Sequence, residues 1–208
     1  MKTYILGSGG LAREIYGWIV DHNKKAQKKI EIEGFLILDD ASEEQKIYGK
    51  DCLNINNLNE PFYFIVGIGV FEYKLKGIQK ALRCEGSPLT FIHHSVSIGE
   101  DVSIGEGCVI NPRSSVSSGA KISDFVLINC DTGVGHDASI GSYSTIFGNV
   151  AINGNVSIGE NVEIASGVTI YPGVKIDNNS KCGVGSIVIR NVKENQLVLG
   201  YPAKNRNL

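Results

Sequence analysis

The stretch 134–164, VGHDASIGSYSTIFGNVAINGNVSIGENVEI, repeats its pattern every six residues and decides the fold of the C-terminal part of the chain. In the wider segment 92–176, Ile or Val occupies every sixth position without an insertion. A second residue, never charged or aromatic, lies four positions after each of them. A period of six fits neither the 3.6-residue repeat of a helix nor plain strand alternation. It predicts strand-plus-bend units, three to a triangular coil of 18 residues, stacked as a parallel β-helix.

The first 90 residues have a different texture, with 10 of the 16 aromatic residues and 12 of the 20 lysines and arginines. The predicted elements are a strand at 3–6, a glycine turn at 7–10, a helix at about 11–22, strands within 31–40 and 62–69, and a helix at about 72–84. Alternating strands and helices indicate a small parallel α/β unit. The sequence therefore predicts two domains, residues 1–90 and 91–208, with a cap from about residue 188.

Composition and charge narrow the classes of function. No apolar run approaches the length of about 18 residues needed to cross a membrane, and the N-terminus lacks a signal-peptide layout. A net charge of −2 gives no electrostatic case for binding nucleic acid or an anionic membrane. Five cysteines without a CxxC pair predict free thiols and a cytoplasmic protein. Cys108 and Cys182 fall on the inward pattern and are expected to be small buried residues.

His136 has the strongest claim to chemistry among the four histidines. It lies in a Gly-His-Asp sequence, two residues after an inward Val134, at a bend of the predicted prism. Residues 18 apart stack, which places Gly154 beside His136 and Gly119 beside Asp137. The missing side chain at Gly154 leaves room for a ligand, and a neutral histidine can take a proton from a nucleophile. A nearby carboxylate raises that basicity, but the sequence leaves open whether Asp137 reaches His136.

The other histidines carry weaker predictions. His22 ends the first helix and is expected to be solvated or to face the helix C-terminal charge. His93 and His94 open the first coil and are expected to be structural. No metal site is predicted. The carbonic-anhydrase-like hexapeptide-repeat proteins need several histidines in each zinc site, and the predicted prism contains one histidine besides His93 and His94.

The chain resembles the hexapeptide-repeat acyltransferases of bacterial sugar metabolism, in the branch with a small Rossmann-like N-terminal domain. The UDP-4-amino-sugar N-acetyltransferase, the perosamine N-acetyltransferases and the sialic acid O-acetyltransferases belong to this branch. The matching motifs are GSGGLAREI at 7–15, LDD at 38–40, IG at 68–69, GHD at 135–137 and LGYPAK at 199–204, besides the hexapeptides themselves. The resemblance implies a left-handed β-helix, a homotrimer with active sites between prisms, and acetyl-CoA as acyl donor. It assigns His136 as general base and Asp137 as the group that increases its basicity.

The resemblance also implies two binding regions. The nucleotide sugar would lie against the N-terminal domain, at the carboxyl ends of its strands and near a helix N-terminus that favours anions. The residues assigned to it are Gly7, Ser8, Gly9, Gly10, Asp39, Asp40, Gly67, Ile68 and Gly69. Those assigned to acetyl-CoA are Thr145, Gly154, Gly200, Pro202 and Lys204. Leu11 and Thr145 depart from the family, whose members commonly have histidine at both positions.

The predicted activity is acetyl transfer from acetyl-CoA to an amino group of a nucleotide-linked amino sugar. Two alternatives stay open: O-acetylation of sialic acid or of a polysaccharide or capsule precursor, and a non-catalytic β-helix scaffold. The turn has Ala12 where GxGxxG needs its third glycine, so a role for NAD is possible on motif grounds. It is weak, because the rest of the chain provides no hydride-transfer domain. The sequence selects neither the nucleotide nor the sugar.

Overall fold

The computed structural model describes residues 1–38 and 46–206. The chain divides into two compact units, one ending at residue 94 and the other beginning at residue 95. Asp39 and Asp40, predicted to face the acceptor crevice, lie outside the described residues.

The first unit is an α/β sheet. Its strands are β1 (Thr3–Leu6), β2 (Ile32–Ile37), β3 (Lys46–Ile47), β4 (Lys50–Asn54), β5 (Phe62–Val66) and β6 (Gly86–Pro88), and a short β7 (Phe91–Ile92) follows. The helices are α1 (Gly10–Asn23) and α2 (Phe71–Arg83), with one 3-10 turn at Ile55–Asn57. The sheet order is β3-β4-β2-β1-β5-β6, and every pair except β3–β4 is parallel. The predicted parallel α/β arrangement is confirmed.

Burial explains why these segments form these elements. Strand β1 lies between β2 and β5, and its Ile5 and Leu6 have no exposed surface. Helix α1 contributes Ala12, Ile15 and Ile19, whose spacing of three and four residues places them on one apolar face. The sequence did not predict the strands β3, β4 and β6, because they are short and largely polar.

The second unit is a parallel β-helix built from two-residue strands. They are β8 (Ser97–Ile98), β9 (Ser103–Ile104), β10 (Val109–Ile110), β11 (Ser115–Val116), β12 (Lys121–Ile122), β13 (Leu127–Ile128), β14 (Gly133–Val134), β15 (Ser139–Ile140), β16 (Thr145–Ile146), β17 (Ala151–Ile152), β18 (Ser157–Ile158), β19 (Glu163–Ile164), β20 (Thr169–Ile170), β21 (Lys175–Ile176), β22 (Lys181–Cys182) and β23 (Ile187–Val188), followed by the three-residue β24 (Leu197–Leu199) and β25 (Lys204–Arg206). Strands on one face are 18 residues apart, as in the pairing of Ile110 with Ile128 and of Ile128 with Ile146. The predicted period and the predicted coil are confirmed.

The three faces of the prism differ at their C-terminal end. One face continues to β23 and another to β21. The third continues from β22 to β24 in parallel, and β25 then pairs antiparallel with β24. The reversal ends the repeat at this edge, within the segment expected to form a cap.

The corners of the prism correct one expectation. Glycine often follows the aliphatic residue, as at Gly99 and Gly135, and this pattern predicts a chain turn with a positive φ; neither glycine has one. Instead, a Cβ on Gly135 would lie 2.5 Å from the backbone nitrogen of Gly154, so glycine permits the close approach of successive coils. The positive φ lies two residues further on. From residue 101 to residue 179 every sixth residue has φ between 54° and 74°.

The cysteines behave as the repeat predicts. Cys108 and Cys182 are buried in the prism, and all five cysteines are free thiols. Burial raises the pKa of Cys108 to about 11 and that of Cys182 to about 12. These two thiols are therefore packing groups, because a nucleophilic cysteine needs a lowered pKa. No helix among the described residues is long and apolar enough to cross a membrane.

Candidate active site

His136 and Asp137 form a hydrogen-bonded pair at a corner of the prism. The His136 Nδ1 atom lies 2.9 Å from Asp137 Oδ2, which answers the question that the sequence left open. Asp137 occupies one of the left-handed corner positions, with φ of 56°, and its amide donates to the carbonyl of Ser118. Both side chains are more than half exposed, at 63% and 62%. The pair is therefore accessible to a ligand.

The tautomer of His136 follows from this contact. An ionised carboxylate is only an acceptor, so Nδ1 carries the proton of the neutral ring. The lone pair then lies on Nε2. Gly154, one coil further on, borders that atom so closely that a Cβ would overlap Nε2 and lie 2.7 Å from Cε1. The predicted stacking of Gly154 on His136 is observed, and only glycine leaves Nε2 its place.

A second glycine has the same relation to Asp137. A Cβ on Gly119, one coil earlier, would lie 2.5 Å from Asp137 Oδ1, and Gly119 itself has φ of +71°. The spacing of 18 residues placed Gly119 beside Asp137, but its part in holding the carboxylate was not foreseen. The pair is thus bordered by two glycines that leave space for its side chains.

The glycine-rich segments of the first unit also come together. A cavity of about 470 Å³ at the carboxyl ends of β1, β2 and β5 is lined by both of them. Its lining includes Gly7, Ser8, Gly9, Gly10, Leu11, Gly67, Ile68, Gly69 and Tyr73. The seven described residues that were assigned to the nucleotide sugar therefore all face one cavity.

Two of these glycines fix the shape of the turn. Gly7 has φ of +106°, and a Cβ there would lie 2.8 Å from Ile68 Cγ1. A Cβ on Gly67 would lie 2.9 Å from the Cβ of Ala12, so the strand-to-helix contact also requires glycine. Gly9 and Gly10, by contrast, have open space around the Cβ position. The cavity is thus open above the start of α1.

The N-terminus of α1 places a partial positive charge beside this cavity. Gly9 is the N-cap, no side chain caps the first turn, and that turn contains no acidic residue. A helix N-terminus without these partners keeps its partial positive charge for an anion. The cavity therefore suits a phosphate group.

The residues assigned to the cofactor lie at separate places on the second unit. Thr145 is 3% exposed in β16, next to Ile146. Gly200, with φ of +96°, follows β24 and donates its amide to Ser186 Oγ. Pro202 is exposed, and Lys204 is exposed in β25. Of this group, Gly154 alone is shown in contact with His136.

His22 lies in the last turn of α1, as predicted, but the expectation that it is solvated is wrong. Its ring is half-buried, and Nδ1 accepts the backbone amide of His94 at 2.9 Å. The ring packs edge-on against Phe91, with centroids 5.5 Å apart, and lies 5.8 Å from the rings of His93 and His94. Three of the four histidines therefore form one cluster in the first unit. Residues 72 positions apart carry no periodic signal that could have revealed it.

Comparisons with known proteins give the fold independently. No family model matches the chain, and no curated protein matches it. Solved structures do. WeeI from Acinetobacter baumannii AYE matches with a TM-score of 0.88 and 22% identity over 99% of this chain and 100% of its own. The acetyltransferase domain of PglB from Neisseria gonorrhoeae FA1090 matches with a TM-score of 0.86 and 20% identity over 99% of both chains.

PerB from Caulobacter crescentus, solved in complex with CoA and GDP-perosamine, is similar to the same degree. Its TM-score is 0.86 and its identity 24%, over 100% of this chain and 98% of its own. These likenesses extend over both units of the chain. At this level of identity they establish a shared fold.

Proposed function

We propose that this protein is an acetyl-CoA-dependent acetyltransferase that acts on the amino group of a nucleotide-linked amino sugar. The observation that carries the proposal is the His136–Asp137 pair, with Nδ1 held at 2.9 Å by the carboxylate and Nε2 bordered by Gly154. This arrangement gives a neutral imidazole a fixed tautomer and an accessible lone pair. These are the requirements of a general base.

The chemistry follows from that lone pair. His136 Nε2 takes a proton from the attacking amine as the amine adds to the thioester carbonyl. The imidazolium that forms is stabilised by the Asp137 carboxylate, with which it already shares a hydrogen bond. The proton later passes to the departing thiolate, which leaves as CoA. Cys108 and Cys182 are not suited to form an acyl-enzyme, because burial raises the pKa of each thiol.

The acceptor is assigned to the glycine-lined cavity of the first unit. Its uncapped helix start suits the diphosphate of a nucleotide sugar, and Gly7, Ser8, Gly9, Gly10, Gly67, Ile68 and Gly69 line it. Asp39 and Asp40 complete the proposed acceptor set. PerB has been solved with GDP-perosamine and CoA, and the PglB domain with acetyl coenzyme A. Those ligands support the substrate classes that we assign to this chain.

The proposal includes further features that the family resemblance implies. They are a left-handed winding of the β-helix, a Rossmann-like N-terminal domain and a homotrimer. The free cysteines add a cytoplasmic location to the proposal. Acetyl-CoA would contact Thr145, Gly154, Gly200, Pro202 and Lys204. Exposed apolar side chains on the second unit, Tyr171, Val184 and Tyr201 at 61%, 77% and 81%, agree with an assembly that covers part of this surface.

Thioester consumption measured against UDP-, GDP-, dTDP- and CMP-linked sugars tests the activity. We expect one amino-sugar nucleotide to release CoA, with mass spectrometry showing one added acetyl group as an amide. Release with a hydroxyl acceptor alone would replace N-transfer by O-transfer. Absence of acetyl-CoA binding by calorimetry would leave only the scaffold.

His136→Ala tests the assigned base. We expect kcat to fall by about 10²–10⁴, the contribution of a positioned general base. Light scattering and circular dichroism before and after substitution establish that assembly and fold are retained. Wild-type turnover in a folded His136→Ala protein would remove His136 from the mechanism.

A further inference from the structure

The histidine cluster of the first unit contains a set of metal-ligand side chains. Among the described residues, Asp21, His93 and His94 place one ligand atom each within 4.8 Å of one another. Asp21 comes from the last turn of α1, and the two histidines come from the segment after β7. All three lie in the first compact unit, apart from the His136–Asp137 pair of the second.

The distances within this cluster suit a metal ion. His93 Nε2 lies 3.5 Å from Asp21 Oδ2. Two ligands bound at about 2.0–2.1 Å to one tetrahedral zinc ion lie roughly 3.3–3.5 Å apart. A direct charge-assisted hydrogen bond between the same groups would be shorter, about 2.7–2.9 Å. The observed separation therefore fits two ligands of one ion better than a direct hydrogen bond.

His94 supplies the third ligand. Its Nδ1 atom is buried and has no hydrogen-bond partner in the described part of the chain. Such atoms are rare in folded proteins, because a buried polar group without a partner costs free energy. His94 thus has a ring nitrogen that no described protein group occupies.

The surroundings hold these ligands in position. His22 Nδ1 accepts the backbone amide of His94, and its ring packs edge-on against Phe91. Lys24 Nζ contacts Asp21 through Oδ1 at 3.2 Å, which leaves Oδ2 toward His93. His22 acts here as a positioning residue, since it fixes the backbone that carries His94.

We propose that Asp21, His93 and His94 bind one divalent transition-metal ion of the zinc type, with His22 positioning His94. Imidazole and carboxylate together suit zinc, copper, nickel or iron better than calcium or magnesium. The ion would join the end of α1 to residues 93–94 and so stabilise the first unit. It would take no part in acyl transfer, so the proposal is independent of the proposed function.

The protonation states agree with this geometry. Burial, followed by the nearby His94, lowers the pKa of His93, although Asp21 opposes the shift. The hydrogen bond from Lys24 is the main cause that lowers the pKa of Asp21.

Tag-free protein, stripped with chelator and titrated with Zn²⁺, tests the proposal. We expect one zinc per chain by elemental analysis, and a rise in melting temperature that increases with free zinc concentration. Co²⁺ used as a spectroscopic probe should give the absorption of a site with nitrogen and oxygen ligands. This measurement needs no variant, so it does not depend on whether a variant folds.

Asp21→Asn and His94→Gln test the ligands. Asp21 is exposed, so its replacement leaves the core unchanged, and each variant should bind zinc at least about tenfold more weakly. His136→Asn is the matched control, because it removes the one histidine outside the cluster, itself paired with an aspartate. It should still bind one zinc. Three results would overturn the proposal. They are no zinc binding by the wild type, wild-type zinc affinity in Asp21→Asn and His94→Gln, and loss of zinc binding in His136→Asn.

Discussion

The two units of this chain place their histidines by different rules. In the prism, a residue's neighbour lies 18 positions away, as Gly154 lies against His136. In the α/β unit, His22 meets His94 across 72 positions that follow no period. The comparison teaches that a repeat makes the surroundings of a functional residue computable from its number. In a fold without a repeat, the neighbours of a residue become known only from the three-dimensional structure.

Removing a core aliphatic from the prism should give the largest effect. Ile128 has no exposed surface, so Ile128→Ala should cost about 2–5 kcal/mol of unfolding free energy. Denaturant unfolding followed by circular dichroism measures it. Ile98→Ala is the matched control at an equivalent repeat position that is 44% exposed, and it should cost much less. Equal losses would contradict the view that burial, and not the repeat position, sets the cost.

Gly154→Ala tests the stacking rule at the candidate site. The added Cβ would overlap His136 Nε2, so the imidazole must turn away. We expect kcat to fall by about 10², the usual consequence of displacing a catalytic group by about 1 Å. Gly133→Ala is the control, because its Cβ would meet only Ser115 Oγ at 3.7 Å. A Gly154→Ala enzyme with the activity of Gly133→Ala would show that Nε2 does not need this space.

Gly119→Ala should have a smaller effect through Asp137. The new Cβ would lie 2.5 Å from Asp137 Oδ1, and we expect roughly a tenfold loss in kcat. Gly173→Ala carries the same backbone strain, since φ is +72° against +71°, but nothing lies within 4 Å of its Cβ. Any loss of stability should therefore be shared, while the loss of activity belongs to Gly119→Ala alone. The ratio of the two kcat values decides the matter.

The smallest effect concerns pH and the cluster of the first unit. Burial is the main cause that lowers the pKa of His22 and of His93, and the nearby His94 adds to both shifts. The unfolded chain therefore binds protons first as pH falls, so stability should decline below about pH 6.5. Melting temperatures between pH 8 and pH 5.5, in chelator, measure this. A His22→Gln, His93→Gln double variant should show a flatter profile, and an unchanged slope would refute the assignment.

Most of the structure of the prism could be predicted from the sequence. Its period predicted the coil, the stacking of Gly154 on His136 and the burial of Cys108, because each coil imposes one geometry on every sixth residue. It also indicated the parallel α/β unit, from apolar runs and glycine turns. The prediction of a positive φ at the glycines after each aliphatic residue is wrong. Close backbone approach, as at Gly135, and not backbone conformation requires them.

What escaped prediction has a common physical origin. Asp137 lies next to His136 in the chain, but whether its carboxylate turns toward the imidazole, as it does at 2.9 Å, depends on a side-chain direction that the repeat pattern leaves open. The cluster of His22, His93 and His94 depends on tertiary packing between the end of α1 and a distant segment. Side-chain direction and tertiary contacts depend on the folded chain, so a sequence pattern does not predict them.

The left-handed corner that Asp137 occupies has an engineering consequence. Because the same left-handed backbone recurs every six residues, the conformation of Asp137 is the ordinary one of the scaffold. A histidine–aspartate pair introduced at residues 118–119 would have the same geometry one coil away, provided that residues 101 and 136 are glycine and that Asp137 gives way to a smaller residue. The position of the proposed active-site pair could thus be shifted along the prism in steps of about 4.8 Å by substitution alone.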